Sequence, residues 1–185
     1  KVSAIEKVIL FGDSLMAGYG LPNEQHLSVV LQNSLELEGH NIQIINGSVS
    51  GSTSAGGLNI AEWTLSENNI DLMILCLGAN DMLRGINPKE TKNNLDEIIK
   101  IAQNKNIKVI IAGMIAPTSY GFDYKKSFDK IFEDLSKKHK LQLIPFLLEG
   151  VAQKPEFNLS DGMHPNDQGT IIISNTLKKA ILENL

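Results

Sequence analysis

Five short aliphatic runs, at residues 8–11, 42–45, 72–77, 109–112 and 141–144, recur along this 185-residue chain with longer amphipathic stretches between them. Short, β-branched runs of this kind are the pattern of parallel strands buried on both faces. The intervening stretches carry helical spacing. Leu27, Val30, Leu31, Ser34 and Leu35 fall on one face, and Leu95, Ile98, Ile99 and Ala102 on another. Phe128, Ile131, Phe132 and Leu135 form a third stripe, and Ile173, Leu177, Ala180 and Ile181 a fourth. Asn87-Pro88-Lys89-Glu90 reads as a helix start, with an Asn cap, Pro at the first helical position and Glu at the third. Residues 53–68 are less periodic and are read as a helix.

Strands that alternate with helices predict an α/β fold, a three-layer α/β/α sandwich around a five-stranded parallel sheet. No repeat, low-complexity tract or linker interrupts the pattern, so residues 1–185 are expected to form one domain. A chain of 42% hydrophobic and 21% charged residues suits a single globular core. Its net charge of −4 leaves no basic surplus for nucleic acid. No aliphatic run approaches the ~18 residues needed to span a bilayer. The one cysteine, Cys76, lies within an aliphatic run and reads as a buried, inert thiol. The chain opens at Lys1 rather than Met, which reads as an upstream segment removed.

Ligand sites in open parallel sheets form beyond the carboxyl ends of the strands. The chemically suggestive segments fall there. Gly12-Asp13-Ser14-Leu15 follows the first run, Asn46-Gly47-Ser48-Val49-Ser50-Gly51 the second, and Gly78-Ala79-Asn80-Asp81 the third. Asp161-Gly162-Met163-His164-Pro165-Asn166 precedes the last helical stripe.

A serine hydroxyl becomes a useful nucleophile only when a base takes its proton. Gly12 would let the chain turn sharply off the strand, leaving Ser14 at a helix start with its own N–H aimed where an oxyanion forms. On position alone a plain helix cap reads equally well. The candidate base is His164, because Asp161 stands three residues before it and can hold the imidazole Nδ1–H, freeing Nε2. An Asp-initiated turn before a His-Pro helix start is the rival reading. His40 and His139 sit at predicted helix ends and read as solvated surface residues, and His26 as structural. Asn80 offers a side-chain amide, and Gly51 a backbone amide that approaches closely for want of a Cβ. Each such donor is typically worth about 3 kcal/mol to a tetrahedral intermediate. Asp13 and Asp81 are rival acids, expected instead to hold their own turns.

With strand order 2-1-3-4-5, Ser14 lies between the Gly51 and Asn80 loops. The fifth strand would then sit roughly 14 Å from the first, so residues 145–164 must reach back over the sheet. The nucleophile elbow G-x-S-x-G is absent, which argues against the α/β-hydrolase fold. No spacing suggests a metal site, and no cofactor is expected.

These four blocks, in this order, resemble the SGNH/GDSL hydrolase superfamily. Residues 12–21 (GDSLMAGYGL), 78–85 (GANDMLRG), 117–121 (PTSYG) and 161–166 (DGMHPN) are most similar to its bacterial branch of thioesterase I/protease I/lysophospholipase L1, also called arylesterase. The resemblance implies a flavodoxin-like sheet and a catalytic triad of Ser14, Asp161 and His164. It implies oxyanion donors from Ser14 N–H, Gly51 N–H and the Asn80 side chain. It implies hydrolysis of acyl-CoA thioesters, lysophospholipids and aryl esters by a monomer that is periplasmic or secreted. It also suggests an acyl groove of Met82, Leu83, Ile115 and Tyr120. Met82 stands where relatives have small residues, and Leu27 where an aromatic is common, so acyl-length preference is expected to differ. A carbohydrate O-acetylesterase is the alternative substrate class. A non-catalytic flavodoxin-like binding module is the alternative outside hydrolysis, although the 12–20 loop lacks both phosphate fingerprints and carries Asp13, which repels phosphate.

Overall fold

The computed structural model describes residues 4–67 and 69–185. Its strands are β1 (Glu6–Gly12), β2 (Ile42–Asn46), β3 (Leu72–Cys76), β4 (Lys108–Ala112) and β5 (Gln142–Ile144). All pairings are parallel, in the order β2-β1-β3-β4-β5. Register runs straight through the centre, with Leu10 beside Ile74 and Ile74 beside Ile110. Every residue of β3 is buried. At roughly 1.5–3 kcal/mol per fully buried aliphatic side chain, this central strand anchors the core. The edge strands differ from the sequence expectation of burial on both faces: β2 and β5 are only partly buried. An edge strand reads like a central one in sequence, because its composition does not reveal how many neighbours it has.

The helices are α1 (Ser14–Ala17), α2 (Leu27–Leu37), α3 (Ser54–Thr64), α4 (Ala79–Leu83), α5 (Pro88–Asn104), α6 (Phe122–His139) and α7 (Asp167–Asn184). Helix α2 packs on α7, α3 on α5, and α5 on α6. Of the stripe expected on α2, Leu27, Leu31 and Leu35 are buried while Val30 and Ser34 are only half-buried; on α5 all of Leu95, Ile98, Ile99 and Ala102 are buried. Asn87 caps α5 by accepting the Lys89 N–H at 3.0 Å, with Pro88 in the first turn. The helix expected over 53–68 is shorter: Thr53 is the N-cap of α3, which ends at Thr64, and Asn68 lies outside the described residues.

Gly12 does not serve as a turn. It is the last residue of β1, where a Cβ would meet the Cys76 carbonyl oxygen at 2.6 Å and the Met16 methyl at 2.7 Å. Its missing side chain lets α1 fold back tightly onto the sheet, and this brings Ser14 to the carboxyl edge.

Candidate active site

Helix α1 starts where β1 stops, and Asp13 caps it. The Asp13 Oδ1 accepts the Leu15 N–H at 3.0 Å, and its carbonyl accepts the N–H groups of Met16 and Ala17. Asp13, not Ser14, is therefore the helix cap, and the Ser14 hydroxyl is left for another partner. That partner is His164: Ser14 Oγ lies 2.9 Å from His164 Nε2. On the far side of the ring, His164 Nδ1 lies 2.5 Å from Asp161 Oδ2. Asp161 Oδ1 accepts the N–H groups of Met163 at 2.8 Å and His164 at 3.0 Å. The turn reading and the imidazole-orienting reading of Asp161 thus hold together, one carboxylate oxygen for each. The N–H groups of His164 and Met163, with the imidazole, bring the Asp161 carboxyl down to about 2. An ionised Asp161 accepts only, so Nδ1 carries the ring proton and Nε2 of a neutral imidazole faces the hydroxyl as an acceptor.

The Asn80 amide sits in α4, beyond β3. Its Nδ2 donates to the Ser52 carbonyl at 3.0 Å and more weakly to Asp13 Oδ2 at 3.5 Å. Gly51 adopts φ +79°, a left-handed conformation that disfavours any side chain. A Cβ at Gly51 would meet nothing within 4 Å, so the glycine is required by its backbone conformation rather than by close approach. Ser14, Gly51 and Asn80 all face one cavity of about 730 Å³. Met82, Leu83 and Ile115 line the same cavity, together with Met114, Phe146 and Leu148. Tyr120 is not among its lining residues; its ring stacks on Tyr124 at 5.5 Å.

The remaining acids and histidines have other partners. Asp81 is fully buried and does not hold its own turn. Its carboxylate accepts the Ser54 N–H at 2.7 Å, the Ser54 hydroxyl at 2.5 Å and the Thr91 hydroxyl at 2.9 Å, fastening α4 to α3 and α5. Sequence reasoning missed this because both partners are remote in the chain. Asp13 is also buried, which pushes its carboxyl up to about 6 against the pull of the Leu15 N–H and the His164 charge. His139 is not solvated: its side chain is nearly buried and lies 2.6 Å from Asp96 of α5. His26 bonds the Leu21 carbonyl at 2.9 Å, and His40 lies 3.6 Å from Glu38. Cys76 is buried, which raises its thiol well above the usual range.

Sequence reasoning also passed over Tyr19, an exposed aromatic whose ring centroid lies 4.3 Å from that of His164. Its position between Gly18 and Gly20 reads as turn, although an aromatic in that setting was the available signal. Among the described residues, no group of three or more His, Cys, Asp or Glu side chains could hold a metal ion, and no helix is long and apolar enough to cross a membrane.

A doubly wound sheet of this order, with hydroxyl, imidazole and carboxylate in series at its carboxyl edge, defines the SGNH hydrolase fold. The chain belongs to the GDSL-like lipase/acylhydrolase family, whose model matches residues 10–170. It is 35% identical over 182 residues to an arylesterase of Vibrio mimicus, covering 98% of this chain and 91% of that protein. It is 29% identical over 181 residues to thioesterase 1/protease 1/lysophospholipase L1 of Escherichia coli, covering 98% and 86%. The crystal structure of TesA matches it with a TM-score of 0.92 at 32% identity, covering 97% of this chain and all of that one.

Proposed function

We propose that this protein hydrolyses acyl esters and thioesters through an acyl-serine intermediate on Ser14. The observation that carries the reading is the unbroken relay from Ser14 Oγ through His164 to Asp161, opening onto a largely apolar cavity. In this mechanism His164 Nε2 takes the Ser14 proton as Oγ attacks the acyl carbon. Asp161 stays ionised and steadies the imidazolium. The oxyanion meets the N–H groups of Ser14 and Gly51 and the Asn80 amide. The long Asn80 contact to Asp13 is the one an oxyanion would replace, so little is lost when substrate arrives. The imidazolium then protonates the leaving thiolate or alkoxide. Water, deprotonated by the same Nε2, releases the acid.

The relatives' names support aryl esters, thioesters and lysophospholipids as the substrate class, and the family resemblance narrows the thioesters to acyl-CoA, in keeping with a place in lipid metabolism. Met82, Leu83 and Ile115 are proposed to hold the acyl chain; Tyr120 would act only indirectly, through Tyr124. A sugar O-acetylesterase would have little use for an apolar cavity of this size. In this reading the chain works as one domain and as a monomer. The family resemblance supports a periplasmic or secreted enzyme.

The test is a Ser14→Ala variant assayed on p-nitrophenyl esters from acetyl to palmitoyl and on acyl-CoA. Loss of turnover by roughly 10³-fold or more is expected on every substrate. A phosphonate probe should add mass to the wild type and not to the variant. Retained turnover in Ser14→Ala would reject the acyl-serine.

A further inference from the structure

Tyr19 is half exposed, yet the chain around it is closely built. Gly18 and Gly20 both adopt left-handed conformations, at φ +91° and +75°. A Cβ on Gly18 would meet the His26 ring at 2.4 Å, and one on Gly20 would meet the Leu159 side chain at 2.7 Å. His26 in turn donates from Nε2 to the Leu21 carbonyl at 2.9 Å, closing the loop from below. Leu159 belongs to the segment that carries the imidazole, and its N–H donates to the His164 carbonyl at 2.7 Å. The Tyr19 loop and the His164 loop therefore brace each other. The result is an aromatic ring laid over the imidazole, with centroids 4.3 Å apart and planes 35° from parallel.

We propose that Tyr19 is a positioning residue for the hydrolysis, its ring fixing one face of the His164 imidazole and favouring the imidazolium that forms as Ser14 attacks. The physical basis is the negative face of the aromatic ring, which attracts a cation within about 6 Å of its centroid. Other charged groups facing this imidazole are Asp161 at Nδ1 and Asp13 beneath Ser14, and Glu149 and Lys154 stand on the cavity wall. The aromatic ring in contact with the imidazole is that of Tyr19. The contact between Tyr19 and His164 is ring against ring, so the effect belongs to the ring and not to the hydroxyl.

The inference rests on His164 being the base, and its test separates the two ideas. Three proteins are compared: wild type, Tyr19→Leu and Tyr19→Phe. The imidazole of His164 is titrated by NMR without substrate, and kcat/KM is followed against pH on a p-nitrophenyl ester. In Tyr19→Leu the His164 titration and the acidic limb of kcat/KM should both move down by about 0.3–0.7 of a pH unit. The plateau should fall roughly two- to fivefold, through kcat rather than KM. Tyr19→Phe should restore both. An unchanged or raised titration midpoint in Tyr19→Leu would overturn the proposal, as would a change confined to KM, which would make Tyr19 a wall of the substrate site. A Tyr19-dependent titration in a protein whose His164→Ala variant keeps full turnover would uphold the stacking and reject His164 as base.

Discussion

Asn158 and Pro165 pair across an isolated antiparallel bridge, and the loop they close carries both Asp161 and His164. Asn158 is buried, and its amide donates to the carbonyls of Val151 and Lys154, each at 2.8 Å. The long return from β5 is thus tied down before it delivers the imidazole to Ser14. Asn158→Ala would strip the amide hydrogen bonds from the Val151 and Lys154 carbonyls, leaving each only its backbone partner, the N–H of Lys154 or of Phe157. The expected cost is about 1–3 kcal/mol in urea unfolding. On the proposed mechanism, kcat should drop about tenfold or more, because the loop is no longer held. Wild-type stability and kcat in this variant would show that the Asn158 amide does not fix the loop.

Asp161 gives a cleaner separation of chemistry from folding. With its carboxyl at about 2, it is ionised throughout the range in which esterases are assayed, and contributes no limb to the rate profile above pH 4. Asp161→Asn can still accept the two backbone N–H groups through its oxygen, but it presents an NH₂ toward Nδ1. The ring should then protonate on Nε2 and face Ser14 with a donor. We expect kcat to fall by roughly 10³–10⁴-fold with little change in the melting temperature.

The buried carboxyl of Asp13 makes stability fall as pH rises. Its value in the fold, about 6, lies above the 3.8 of a free carboxyl, so the native state holds this proton over that interval and the unfolded chain does not. The ionised group costs the fold roughly 3 kcal/mol, a penalty that grows from about pH 4 to pH 6 and then levels off. Asp13→Asn removes that slope, which urea unfolding at pH 4.5, 5.5 and 7.5 would read. The same substitution turns an amide donor toward the Asn80 amide, so activity should fall even where stability improves.

The Asp96 cluster acts in the opposite sense. Burial pushes the Asp96 carboxyl up, but the hydrogen bonds from His139, Lys138 and Lys100 overcome it and hold it well below the usual carboxylate range. Its contribution is complete above the unfolded value near 4 and is lost as pH falls below that. Asp96→Asn is expected to destabilise by about 1–3 kcal/mol at pH 7. The gap between variant and wild type should narrow steadily as pH falls below 4. A gap as wide at pH 2 as at pH 7 would assign the effect to packing.

What the sequence made legible was what depends on local periodicity. The buried stripes of α2, α5, α6 and α7 sit where their spacing put them. The strand order came with the resemblance to the SGNH/GDSL family, and the series Ser14, His164, Asp161 was suggested by motifs placed near strand ends and by the same resemblance. What stayed hidden depends on partners remote in sequence. Asp81 looked like a turn residue because Ser54 and Thr91 reach it only in the folded chain. His139 looked solvated because Asp96 lies on another helix. Tyr19 looked like loop because nothing local marks a ring that meets an imidazole so far along the chain.

The separation of 150 residues between Ser14 and His164 has a consequence for biosynthesis. The hydroxyl leaves the ribosome just after β1, at the start of α1, while the imidazole follows only as α7 begins and docks against α2. A nascent chain therefore carries Ser14 without its imidazole partner through 150 residues of translation. On the proposed mechanism, acyl groups nearby are spared until that whole stretch has been made and folded.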